Sequence, residues 1–429
     1  MNPETRSDRR QFLATAAAFS ALLASGCAVR GPSRGASGYG PLRPDPQGLF
    51  DLPEGFSYRV ISRKGDAMQD GGTVPDNADG MGCFALPGRR IALVRNHELT
   101  ANGDAGGTPA GYDYRENGLV LPGGTTTLIL DAGTLEVQRQ FRSLAGTIRN
   151  CSGGITPWGS WLTCEEDVTR AGTRVAKDHG YVFEVPAAAQ GTVDPVPLKA
   201  MGRFYHEAAC VDPATGIVYE TEDREDGLLY RFVPRTPGKL AEGGQLQALV
   251  IDGLPDSRNR DAQAFAPHSW QKIRWVDMDD PESPGDDLRK RGAARGATLF
   301  ARGEGIHMGD GELYFCCTSG GKAKLGQIFR LNPRREQLQL FLESTSIENF
   351  NFGDNLIVAP NGHLVVCEDQ YTRNVDNHLR GVTPAGEAYP LARLHRQTEL
   401  AGACFSPDGK VLFVNVYSPG MTLAVTGPW

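Results

Sequence analysis

Between Leu49 and the C-terminus, apolar positions alternate with polar ones in short runs, and each run stops at a cluster of Pro, Asp, Asn or Gly. That two-residue period with frequent turn residues predicts strands and hairpins. One hairpin recurs six times: Cys83 to Val94 around Pro87-Gly88, Gly153 to Thr163 around Pro157-Trp158-Gly159, Ala208 to Tyr219 around Asp212 to Gly216, Ile306 to Phe315 around Gly309-Asp310-Gly311, Leu356 to Val366 around Pro360-Asn361-Gly362, and Cys404 to Val414 around Pro407-Asp408-Gly409. A further strand follows each copy: Thr126 to Asp131, Tyr181 to Pro186, Leu229 to Pro234, Gln327 to Pro333, Leu379 to Pro384 and Leu423 to Pro428. A lone sheet cannot bury both its faces, whereas a ring of sheets can, so the repeats predict an all-β, six-bladed propeller of four-stranded blades.

A hairpin's first residues and its last residues lie at the same end, opposite the turn. Across six blades they converge on one mouth of the central channel. The residues entering the first strands include Asp79, Asn150-Cys151, His206-Glu207, Arg302-Gly303-Glu304 with His307, and Asn351 with Asp354-Asn355. Those leaving the second strands include Arg95-Asn96-His97-Glu98, Glu165-Glu166-Asp167, Glu222-Asp223-Arg224, Thr318-Ser319 and Glu368-Asp369. The turns at the far end carry mostly Pro, Gly and isolated Asp, so the chemistry is segregated to one rim. So many carboxylates around one mouth repel unless cations neutralise them, and oxygen-rich groups with few histidines favour Ca²⁺ or another hard cation over zinc.

The nine cysteines divide by position in the repeat. Cys83, Cys210 and Cys404 read as one small core position, and Cys164, Cys317 and Cys367 share a place with Thr221 at the end of the second strand. Cys151 fits neither class. It opens the polar run Ser152-Gly153-Gly154, where its thiolate can bind a softer metal such as iron, or it pairs across the hairpin with Cys164 as a disulfide. Arg302 and Glu304, one residue apart on an extended strand, point to the same side; they form either a plain ion pair or a guanidinium fork for phosphate oxygens beside a metal-binding acid. His97, His206 and His307 read as packing residues or as groups behind the metal ligands.

The 429 residues, 40% hydrophobic, provide ample core, and the net charge of -7 with interspersed signs argues against nucleic acid as a partner. Residues 1–27 read as an export signal. Asp8-Arg9-Arg10-Gln11-Phe12-Leu13 is a twin-arginine pattern, and the apolar run Ala14 to Ala24 after it is too short to span a bilayer. Ala24-Ser25-Gly26-Cys27 looks like a lipobox with Cys27 as the lipidation site, though ordinary cleavage nearby fits as well. Residues 28–48 are expected to be a flexible spacer, and 49–429 a single propeller in the periplasm or cell envelope, anchored to the membrane if Cys27 carries lipid.

The run Asn150-Cys151-Ser152-Gly153-Gly154, continuing through Thr156-Pro157-Trp158-Gly159 to Trp161-Leu162-Thr163-Cys164-Glu165-Glu166, resembles the PhoX family of exported alkaline phosphatases. Asn96-His97-Glu98 and Gly202-Arg203-Phe204-Tyr205-His206-Glu207 add to the resemblance, which extends over nearly the whole mature chain. The resemblance implies a six-bladed propeller holding iron (Fe³⁺) and calcium joined by a bridging oxo or hydroxo group, and hydrolysis of phosphate esters. It also implies that Cys151 binds iron, that Glu207, Glu304 and, less directly, Asp354 bind metal, and that Arg302 contacts phosphate.

Glu98 and Glu165 are expected to support these ligands, with Asn96, His97, His206, His307 and Asp369 behind them. The alternatives are a calcium-dependent lactonase-type propeller, and a non-catalytic lipoprotein whose calcium is structural.

Overall fold

The computed structural model describes residues 38–107, 110–370 and 372–429; Arg9, Arg10 and Cys27 lie outside the described residues. Six antiparallel sheets form the blades. Blade I contains Ala78–Leu86, Arg90–His97, Gly123–Asp131 and Val137–Thr147. Blade II contains Asn150–Ile155, Ser160–Glu165 and Val182–Pro186. Blade III begins with His206–Val211 and Val218–Glu222, blade IV with Gly303–Gly309 and Glu312–Cys317, blade V with Gly353–Val358 and Leu364–Glu368, and blade VI with Leu400–Phe405 and Val411–Val416.

The six predicted hairpins are the inner two strands of the blades, and the strands predicted after them are the third strands. Among the described residues the expectation of four strands holds for blades I and VI; blade II has three, blades III and IV have five and blade V has six.

The first strands pack side by side in chain order, and that of blade VI packs against that of blade I, which closes the ring. Closure is also sealed on the outside. Ser57–Arg63, ahead of blade I in the chain, pairs with Met421–Thr426 near its end, so the last blade is completed by a strand that precedes the first. Phe50–Pro53 pairs with blade V and Leu42–Arg43 pairs with Phe50–Pro53. The globular part therefore begins within the expected spacer, where the Asp45 carboxylate accepts the N–H groups of Leu49 and Phe50 and the Tyr58 hydroxyl.

Turn chemistry and packing explain the elements. Gly309 pairs with Glu312, leaving Asp310-Gly311 as a two-residue loop with φ of 56° and 77°, the left-handed pair that matches strand twist. Apolar faces meet between blades: Leu412, Val414 and Leu423 of blade VI lie in one cluster with Val365, Leu379 and Leu391 of blade V. Between blades III and IV, Phe329 stacks on Phe315 at 5.2 Å and meets Phe300 edge-on. Burying each such ring contributes about 2–3 kcal/mol. No helix among the described residues is long and apolar enough to cross a membrane.

Candidate metal centre and active site

Every inner hairpin carries the same irregularity. Asn150 pairs with Glu165 but Gly153 pairs with Thr163, a slip of one residue, and equivalent slips occur between Ala78 and Met81, His206 and Ala209, Gly303 and Ile306, Gly353 and Leu356, and Ala401 and Cys404. Such a bulge re-aims the side chain of its extra residue. The first bulge residues are Asp79, Cys151, Glu207, Glu304, Asp354 and Gly402. Five of the six carry metal-binding chemistry. At Gly402, φ is +59° and an added Cβ would lie 2.2 Å from the Asp79 carbonyl oxygen, which explains the exception.

The same register sorts the residues leaving the second strands. Glu98, Glu166 and Asp369, at equivalent positions, join the bulge residues at the mouth. Among the described residues, ligand atoms within 4.8 Å of one another form four groups: Cys151, Glu166 and Glu207; Glu207, Glu304 and Asp354; Asp354, Asp369 and Glu399; Asp79, Glu98 and Glu399. Because Glu207, Asp354 and Glu399 are shared, the groups form a continuous chain around the mouth. Arg149 bridges its ends, donating from Nε to Glu98 at 2.7 Å and from Nη2 to Glu166. Arg302 donates from Nε to Asp223 at 2.8 Å and from Nη2 to Glu304 at 2.8 Å.

The electrostatics ask for cations. Burial, then neighbouring carboxylates, holds the carboxyls of Asp79, Glu207 and Glu399 well above the usual range, and pushes Asp354 up to about 7. Asp79 Oδ1 is buried without a hydrogen-bond partner, as a ligand oxygen would be. The oxygen-only groups suit calcium, and the group containing Cys151 suits a softer ion such as iron. Burial and the facing Glu207 and Glu166 push the Cys151 thiol up, so its thiolate needs a metal to form.

Cys151, Glu207, Glu304, Asp354, Glu98 and Asp369 thus come together. Glu165 does not. It points into the blade, where it accepts from the backbone N–H of Ile148 and Gly180 and meets His179 at 2.6 Å; the next residue, Glu166, reaches the mouth instead. Asn96 locks the blade II bulge, donating to the carbonyls of Cys151 and Ser152 at 3.0 and 2.7 Å.

The three histidines stand apart from all four groups. His97 bonds Asp76 O and Thr126 Oγ1. His206 bonds Gly202 O and stacks on Phe204 at 3.6 Å, and burial pushes it down to about 3. His307, pushed down to about 4 by burial, accepts from Val358 N–H and lines a cavity of about 560 Å³ at the other end of the channel.

Cys151 and Cys164 are both free thiols, so the disulfide alternative is excluded. The register also revises the cysteine classes. Cys83, Cys210 and Cys404 occupy three different positions relative to the bulge, although all three line that cavity. Cys316, not Cys317, is equivalent to Cys164, Thr221 and Cys367.

Asp79 and Glu166 stand on the expected rim and prove to be ligand candidates, whereas Glu399 and Arg149 lie outside the expected set. Glu399 precedes the first strand of blade VI and reaches the site that Gly402 leaves without a side chain. Its signal was an acid beside the one inner strand with no acid or thiol at its bulge.

A propeller that concentrates buried acids, one thiol and two anchored arginines at one mouth has the character of a metal-dependent hydrolase. The chain belongs to the PhoX alkaline phosphatase family, whose sequence model matches residues 37–420. It is accordingly a phosphatase, a hydrolase of phosphate esters. Among solved structures it is similar to Pseudomonas fluorescens PhoX in complex with vanadate, a transition state analogue, at 20% identity over 88% of this chain and 96% of that one, with a TM-score of 0.68. It also aligns with a gluconolactonase from Xanthomonas campestris at 13% identity, covering 91% of this chain and 98% of that one, but with a TM-score of only 0.44. No curated protein matches.

Proposed function

We propose that this chain hydrolyses phosphate monoesters at the acid-lined mouth, with iron held by Cys151, Glu166 and Glu207 and calcium by the oxygen-only groups. The observation that carries the reading is the continuous chain of four ligand groups with Arg302 anchored at its edge by Asp223 and Glu304. Bound there, the ions supply Lewis-acid polarisation of phosphoryl oxygens and an activated oxygen nucleophile.

The chain's own residues do the rest. Arg302, its donors aimed by two carboxylates, stabilises charge on the phosphoryl group as it transfers. Asn96 and Thr221 hold the bulges through the carbonyls of Cys151 and Glu304, the latter at 2.6 Å, so the ligands keep their aim. His97, His206 and His307, neutral and tied into packing, are not placed to protonate the leaving oxygen. Export through Arg9-Arg10 and lipidation at Cys27 complete the reading: a phosphatase of the cell envelope acting on a small ester.

The test is elemental analysis of the purified protein alongside turnover of p-nitrophenyl phosphate and of a lactone. Iron with calcium and phosphatase turnover are expected. Calcium alone with lactone hydrolysis would support the lactonase, and no turnover of either would leave the binding lipoprotein.

A further inference from the structure

Arg302 has a counterpart two blades away. Arg149 stands two residues before the bulge residue Cys151, as Arg302 stands two before Glu304, and both have left-handed backbones with φ of 47° and 54°. Their anchoring is alike. Each guanidinium is held by the mouth-facing carboxylate at the end of the preceding blade's second strand, Glu98 for Arg149 and Asp223 for Arg302. Each is also held by a carboxylate of its own blade, Glu166 or Glu304.

Between them lies blade III, whose bulge residue Glu207 belongs both to the group containing Glu166 and to the group containing Glu304. The two guanidinia therefore flank Glu207. Both are partly open to solvent, 31% and 21% exposed, in a mouth otherwise lined by buried and half-buried acids. Arg149 spends Nε and Nη2 on its anchors, while its Nη1 has no hydrogen-bond partner among the described residues. A planar fork fixed along one edge with donors left on the other is preorganised for an oxyanion.

We propose that Arg149 is a second phosphoryl-binding residue, forming with Arg302 a two-arginine clamp across Glu207. The inference rests on the phosphoester reading above. A phosphoryl group has enough non-bridging oxygens to meet both forks while cations take the remaining lone pairs. The clamp favours a terminal phosphate, since a second ester substituent would remove an oxygen that one arginine grips.

The test is calorimetric titration of inorganic phosphate into metal-loaded wild type, Arg149→Lys and Arg149→Met, with iron and calcium content measured on the same samples. The expected result is phosphate binding by the wild type, weakened about ten- to a hundredfold in both variants with metal content unchanged. Unchanged phosphate affinity in Arg149→Lys and Arg149→Met overturns the proposal. So does a loss of iron or calcium that accompanies the weakened binding, because Arg149 would then only hold Glu98 and Glu166 in place. If Arg149→Met does not fold, Arg149→Lys decides alone. A wild type that neither binds phosphate nor turns over a phosphomonoester would instead remove the phosphoester reading itself, and the clamp with it.

Discussion

On the blade side of the second-strand ends, Glu165, Glu222 and Glu368 are held by partners within the blades; one residue further on, Glu166, although it takes Arg149, and Asp369 face other acids. Glu368 meets Arg380 at 2.7 Å and accepts the backbone N–H of Asn351 and His378. Glu222 accepts from the Tyr230 hydroxyl at 3.0 Å. Glu166 instead shares a group with Cys151 and Glu207, and Asp369 with Asp354 and Glu399. Adjacent residues of one chemical type therefore do opposite work. The first pins a blade and the second waits for a cation, because strand alternation turns them to opposite sides.

The sharpest way to break this comparison is to remove one member of an adjacent pair at a time. Glu368→Ala leaves the buried Arg380 only the Glu348 and Ile347 carbonyls and no opposing charge, and should cost about 3–5 kcal/mol of unfolding free energy in urea, with metal content retained in the folded fraction. Asp369→Asn should stay within about 1 kcal/mol of wild type and lose bound calcium and activity. Equal losses of stability in both variants would mean that the two sides are not distinct.

At the mouth, Arg302→Lys keeps the charge but loses the fork. It should lower kcat/KM for a phosphomonoester by about two to three decades, roughly 2–4 kcal/mol, with iron and calcium unchanged and phosphate inhibition much weaker. Wild-type kcat/KM with wild-type sensitivity to phosphate would return Arg302 to a purely structural role.

The blade side should respond to pH where the mouth responds to chelators. Although burial opposes its charge, His179 is raised to about 9 by Glu165 and Asp113, which flank it at 2.6 and 3.2 Å. A raised folded-state value means that this stabilisation is complete below about 6.5, the unfolded value, and is lost as pH rises through about 9. Urea unfolding should therefore show a decline on the order of 1–3 kcal/mol across that window, absent in His179→Gln. A profile identical in wild type and variant would show that the histidine is not charged there.

The smallest effect separates two cysteines. Cys404→Ser, in the apolar cavity wall at the other end of the channel, should cost about 1 kcal/mol and leave the metals in place. Cys151→Ser should keep the fold within a similar margin and lose iron and turnover. Iron and activity retained in both would remove Cys151 from the centre.

Much of this was legible along the chain. Six recurrent hairpins dictated six blades, because each half-apolar sheet must find neighbours, and hairpin geometry alone sent the acids to one mouth. Strand starts put Cys151, Glu207, Glu304 and Asp354 on the rim, and the resemblance to the PhoX family marked them there as metal ligands. The choice between Glu165 and Glu166 could not be made, since both satisfy the same local pattern and only the one-residue slip in each inner hairpin decides which faces the channel. Glu399 and Arg149 depend on distance in space: one fills the place of a glycine in its own blade, the other joins acids from blades I and II. Closure of the ring by Ser57–Arg63 against Met421–Thr426 likewise pairs segments from opposite ends of the chain. The sequence by itself determined how many blades there are and which end carries the chemistry, because both follow from local periodicity. Which carboxylates meet, and which arginines stand over them, was decided only when the ring closed, because those contacts join blades that no local pattern connects.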